Sequence, residues 1–133
     1  MGSVIGYHHV ALSVHDLELS ARWYESVFDL DLQFDEPAAN GRAAKVYRLR
    51  GTPTTLGLVA HAANDGTPFT PLTCGLDHAA FAVATRAEVD RWADELTAAG
   101  IEHSGAIDIP VGAILNFSDP DGTQLSIFWE ADA

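Results

Sequence analysis

Residues 1–133 are expected to fold as a single α+β domain. It would contain two tandem β-α-β-β-β modules, about 6–60 and 75–130, that form a cupped mixed sheet with helices on its outer face. Three observations predict this. The stretch GYHHVALSV (6–14) returns as GLDHAAFAV (75–83), each with a histidine three places after a glycine. The step from His9 to His78 is 69 residues, and it also carries Arg22-Trp23 to Arg91-Trp92 and Leu56-Gly57-Leu58 to Leu125-Ser126-Ile127. Within each copy, alternating apolar positions give way to a helical stripe and then to short runs separated by turn residues.

The first strand of each copy follows from its period of two. Val10, Leu12 and Val14 share a greasy face with His8, while His9, Ala11 and Ser13 share the other. In the second copy Ala79, Phe81 and Val83 are the greasy set, and His78, Ala80 and Ala82 lie opposite. Both repeated histidines therefore sit among small residues.

A helix follows in each copy. From Asp16 the stripe is Leu17, Ala21, Tyr24 and Phe28, and from Thr85 it is Val89, Trp92, Ala93 and Leu96. Asp16 and Thr85 are capping residues 69 apart, Thr85 with Glu88 makes a capping box, and Gly100 suits the left-handed position that ends the second helix. Three more strands follow each helix, at 31–36, 43–50 and 54–61, then 102–108, 111–118 and 123–130. Asn40-Gly41, Gly51-Thr52-Pro53 and Asp119-Pro120-Asp121-Gly122 supply the turns, and 61–75 links the copies. With the helices on one side, the free sheet faces would curve together into a concave site for a small molecule.

Composition narrows the function. Seven basic residues against nineteen acidic ones give a net charge of −12, which repels nucleic acid and anionic lipid, so neither is expected as a partner. The same charge suits a cationic ligand or simply serves solubility. No signal-peptide pattern or membrane-length apolar run occurs, and Cys74 is the only cysteine. A cytoplasmic protein is expected, with Cys74 buried and structural. No nucleophile elbow, P-loop or dinucleotide fingerprint is present.

The stretches HHVALSVHDLELSARWYESVF, LDHAAFAV and NFSDPDGTQLSIF resemble the vicinal oxygen chelate superfamily, which includes glyoxalases, bleomycin resistance proteins and extradiol dioxygenases. The resemblance covers essentially the whole chain. It implies a homodimer. It also implies a divalent metal held in the cup by a His on the first strand and a Glu or Gln on the last strand of each module. Those positions fall on His9, Gly57, His78 and Ser126, so only two of the four offer a metal donor. The repeat pairs 57 with 126 independently.

Two imidazoles suit Zn, Ni, Mn or Fe, but Ser126 lacks the negative charge that a His-and-carboxylate set supplies. His61 and Glu130 share those strand faces but lie about 13 Å further along, at expected exposed ends. His8, His15 and His103 are expected to be structural or solvated. Two readings result. One is a metal-free protein binding a partly aromatic small molecule, with His9, His78, Val59, Ser126 and Phe128 against the ligand. The other is a metal-dependent lyase, isomerase or dioxygenase using His9 and His78. The symmetric loss of the two acidic or amide ligands favours the first.

Overall fold

The structure, a computed structural model, describes residues 1–132. In chain order it contains β1 (His9–Ser13), α1 (Leu17–Val27), β2 (Leu30–Ala39), β3 (Arg42–Leu49) and β4 (Thr55–His61), then β5 (Ala79–Ala82), α2 (Arg86–Ala98), β6 (Ile107–Ile109), β7 (Gly112–Ser118) and β8 (Gln124–Glu130). The chain divides into two compact units, Met1–Thr67 and the part from Pro68 onward. Each has its own four-stranded sheet, ordered β1-β4-β3-β2 in the first and β5-β8-β7-β6 in the second. In both, the first strand runs parallel to the last and the remaining pairs are antiparallel.

The repeat holds at the level of register. Ala11 lies opposite Gly57 and Ala80 opposite Ser126, and the bond from Val14 N–H to Val59 O recurs from Val83 N–H to Phe128 O. All of these keep the 69-residue step. Gly6 and Gly75 explain why a glycine precedes each histidine: their φ angles are +151° and +152°, a region that side chains disfavour.

The helices begin where the sequence predicts. Asp16 accepts the Leu19 N–H at 3.0 Å and Thr85 accepts the Glu88 N–H at 3.2 Å, each satisfying a donor that the first helical turn leaves unpaired. Gly100, at φ +73°, closes α2: its N–H bonds to Thr97 O and that of Ile101 to Leu96 O.

Each helix covers one face of its own sheet. Ala21 and Tyr24 of α1 and its C-terminal cap Phe28 are buried, as are Leu12, Val14, Tyr47, Leu56 and Leu58 of the first unit. In the second unit Val89 and Leu96 are buried with Ala113, Leu115, Phe117, Leu125 and Ile127, and Trp92 stacks on Phe117 at 6.3 Å. Burial stabilises by about 1.5–3 kcal/mol for each large side chain, so these faces carry most of the folding energy.

Three expectations change. The strand expected at 102–108 shrinks to Ile107–Ile109, preceded by one isolated bridge from His103 to Phe117. The cause is local competition: His103 Nδ1 accepts the Gly105 N–H, while Ser104 Oγ accepts the Asn116 N–H and donates to Gly105 O. β5 begins one residue after His78, which therefore lies just ahead of the strand. Cys74 is exposed in the linking segment, where no apolar layer forms over it. Among the described residues, no helix is long and apolar enough to cross a membrane.

Candidate functional site

Two side chains fix the direction of β3. Lys45 reaches Glu18 of α1 at 3.6 Å, and the Tyr47 hydroxyl donates to Glu25 of α1 at 2.6 Å. The alternate residues Ala44, Val46 and Arg48 therefore share the face away from the helix. Register extends that face in rows: His9, Thr55, Arg48 and Asp31; then Ala11, Gly57, Val46 and Phe34; then Ser13, Val59 and Ala44. In the second unit the matching face carries Gln124 opposite Ser118, Ala80 opposite Ser126 opposite Asn116, and Ala82 opposite Phe128 opposite Ile114.

His9 is exposed, and its Nδ1 lies 2.9 Å from His8 Nδ1, so one of the two rings carries the shared proton. His78 keeps about half of its side chain exposed, with Nδ1 2.7 Å from the Asp77 carboxylate. A carboxylate beside Nδ1 favours the tautomer with its proton on that nitrogen.

The two positions between repeats that would supply acidic or amide ligands are closed in different ways. A Cβ added to Gly57 would lie 3.3 Å from Ala11 Cβ, so the glycine permits close approach of β1 and β4. Ser126 is 2% exposed, and its hydroxyl donates to Asn116 Oδ1 at 2.7 Å. Val59 is buried and Phe128 half-buried on the same parities. His61 and Glu130 are exposed strand ends, as expected. Among the described residues, no three His, Cys, Asp or Glu side chains gather to hold an ion. This donor set does not make the His-and-carboxylate arrangement such ions prefer.

The other histidines have local partners. His15 Nε2 donates to Thr67 O at 3.0 Å, and His103 Nε2 lies 2.7 Å from Thr97 Oγ1. A cleft of about 510 Å³ in the second unit is lined by Ile101, Glu102, His103, Asn116, Phe117, Ser118 and Gln124. Sequence reasoning missed Arg48, Asn116 and Gln124, although strand parity alone places all three on the helix-free faces.

Comparison with known proteins agrees with this architecture. A family model described as the glyoxalase/bleomycin resistance protein/dioxygenase superfamily matches residues 6–127. A glyoxylase/bleomycin resistance protein/dioxygenase domain from Frankia sp. EAN1pec is 28% identical, with 97% of this chain and 100% of that one covered and a TM-score of 0.89. TnmS3, an antibiotic binding protein from Streptomyces sp. CB03234, is 23% identical over 98% and 100% of the two chains, TM-score 0.73. The fosfomycin resistance protein FosX from Listeria monocytogenes is 18% identical over 97% and 96%, TM-score 0.71. At those lower identities the likeness is one of fold. No curated protein matches the chain significantly. The family match spans nearly all of both repeats, and the chain belongs to the glyoxalase/bleomycin resistance protein/dioxygenase superfamily.

Proposed function

We propose that this protein is a single ligand-binding domain that holds a small molecule against the helix-free faces of its sheets without a tightly bound metal. One observation carries the reading: positions 57 and 126 hold a glycine packed on Ala11 and a buried serine committed to Asn116. Neither offers a charged oxygen, while half-buried Phe128 and Val46 give those faces apolar surface for a partly aromatic ligand. The antibiotic binding protein TnmS3 supplies a precedent for binding on this fold. Metal analysis of protein purified without chelator, followed by calorimetry with Ni and Mn, tests it. Stoichiometric, tightly held metal would overturn it.

A second reading, a metal-dependent lyase, isomerase or dioxygenase using His9 and His78, draws on the Asp77–His78 pair, since carboxylates often orient metal-binding imidazoles. A mutant of FosX from Listeria monocytogenes has been crystallised in complex with Mn(II) and 1S,2S-dihydroxypropylphosphonic acid, so at least one neighbour of this fold holds a metal. A homodimer in the cytoplasm completes the proposal. Val4, Ile5 and Tyr7 are almost fully exposed just ahead of β1, the edge strand of its sheet, where a second chain would cover them. The exposed free thiol of Cys74 suits a reducing compartment.

A further inference from the structure

The chain has nineteen acidic residues for seven basic ones, so its cations have abundant partners. In the first unit Arg42 pairs with Glu36, Lys45 with Asp35 and Glu18, and Arg50 with Asp29 and Asp31. In the second, Arg86 pairs with Asp90 and Asp108, and Arg91 with Glu88. Among the described residues this leaves Arg22, exposed on α1, and Arg48, half-buried on the face of its sheet away from α1. Asp31 lies directly opposite Arg48, yet its carboxylate is bound by Arg50 at 3.0 Å. A partly desolvated guanidinium without a counter-charge costs free energy that an exposed one does not.

Apart from Asp31, whose carboxylate Arg50 holds, the neighbours of Arg48 along its row are donors. Its row continues through Thr55, a buried hydroxyl whose recorded bond to His8 O is a long 3.4 Å, to the exposed imidazole of His9. Neighbouring residues in such a row stand about 4.5–5.5 Å apart, so the guanidinium fork, hydroxyl and imidazole fall within one small ligand's span. The next row is Ala11, Gly57, Val46 and Phe34: two small residues, a flat branched one and an aromatic that is 54% exposed. Gly57 is buried beneath the close approach of Ala11, so no side chain rises from the sheet there and a planar group can lie flat across Ala11 and Val46.

We infer that the helix-free face of the first unit binds a planar, apolar molecule bearing an oxyanion, with the oxyanion on Arg48 and the planar body over Ala11, Gly57, Val46 and Phe34. A bidentate fork matches carboxylate or phosphoryl oxygens and has no use for a cation. The site thus reverses the sign of ligand that the net charge of −12 suits. This assignment rests on the reading of the protein as a small-molecule binder and names the class that it takes.

The test is amide NMR titration of the full chain with benzoate, phenylphosphonate, neutral benzamide and cationic benzamidine. Benzoate or phenylphosphonate should shift the Val46, Thr55 and Gly57 amides at least tenfold more tightly than benzamide does, with benzamidine weakest; whichever anion binds tighter identifies the oxyanion. Arg48→Met, which keeps an apolar stem, should remove that preference, and Arg48→Lys should retain part of it. Equal binding of benzamidine and benzoate by the wild type, or an unchanged preference in a folded Arg48→Met protein, overturns the role of Arg48. Shifts confined to the second unit overturn this inference but leave the binding reading intact. If no probe shifts any amide on either helix-free face, the binding reading fails with it.

Discussion

Replacing Ser126 by glutamate tests the metal question with opposite effects in the absence and presence of an ion. Ser126 is 2% exposed and donates to Asn116 Oδ1 at 2.7 Å, so the substitution removes a hydrogen bond of about 1 kcal/mol. It also puts a carboxylate at a buried root, costing roughly 1–3 kcal/mol more. At roughly 3–4 °C per kcal/mol for a chain of 133 residues, the metal-free variant should melt about 6–15 °C lower than the wild type. Ala80 lies opposite Ser126, and His78 is two residues earlier on the same face, a diagonal of about 7–8 Å. Glutamate and histidine side chains can close that gap around an ion about 2.0–2.2 Å from each donor atom.

Added Ni or Mn should therefore recover much of the lost melting temperature, about 2.7 kcal/mol at a hundredfold excess over Kd, whereas the wild type should hardly respond. Calorimetry should show at least tenfold tighter binding by Ser126→Glu, about 1.4 kcal/mol, and less by the neutral Ser126→Gln and Gly57→Gln. Adding His9→Ala to Ser126→Glu asks whether that imidazole also meets the ion. Nanomolar binding by the wild type would refute the reasoning, since a carboxylate must then have been overlooked, Glu130 first. No gain in Ser126→Glu would refute it too, by showing that His78 does not share an ion with position 126.

Three further outcomes are expected. Gly112→Ala should destabilise by about 3 kcal/mol or more, because its φ is +156° and the new Cβ would lie 1.9 Å from Trp129 O; a urea midpoint near that of the wild type would contradict the backbone geometry. Burial and the bond to Glu25 push the Tyr47 phenol well above its ordinary range, so its contribution is fully present below pH 10 and is lost as pH rises further. Tyr47→Phe should then cost about 1.5–3 kcal/mol at pH 8 by denaturant unfolding, with the gap narrowing towards pH 11, and a gap that widens would reverse the sign. Light scattering at micromolar concentration should give twice the 14.2 kDa of one chain, and a monomer would remove the homodimer.

The repeat was legible because the residues that write it obey local rules. Glycine at a disfavoured φ ahead of the first strand, a capping side chain 69 residues from its copy and a greasy alternation each act within a few residues. The breakdown of 102–106 was not legible, since it depends on Ser104 reaching Asn116, twelve positions away, and on His103 turning back to Gly105. The exposure of Cys74 was likewise invisible, because burial is decided by what packs over a linker and no periodicity reports that. The repeat matches Gly57 with Ser126, and their register partners Ala11 and Ala80 keep the same step, yet Asn116 as the partner of Ser126 needed the register of β7 on β8. Arg48 reads as an ordinary surface cation until its in-register acid is seen to be occupied by Arg50.

That last residue shows how a duplicated scaffold can carry an unduplicated site. The hydrogen-bonded register of the first and last strands repeats to the residue, so both copies share one backbone geometry there. The side chains on the helix-free faces do not repeat: His9, Thr55 and Arg48 correspond to His78, Gln124 and Ser118, and Ala11, Gly57 and Val46 to Ala80, Ser126 and Asn116. One face carries Arg48 beside an Asp31 that Arg50 holds, while the other is furnished with amides and hydroxyls that already bond each other, Gln124 to Ser118 and Ser126 to Asn116. Of the four positions that the family resemblance marks for a metal, only the two histidines offer the same donor in both copies. Each face is therefore read by its own chemistry, and the oxyanion preference inferred for the first unit rests on Arg48, whose register equivalent in the second is Ser118.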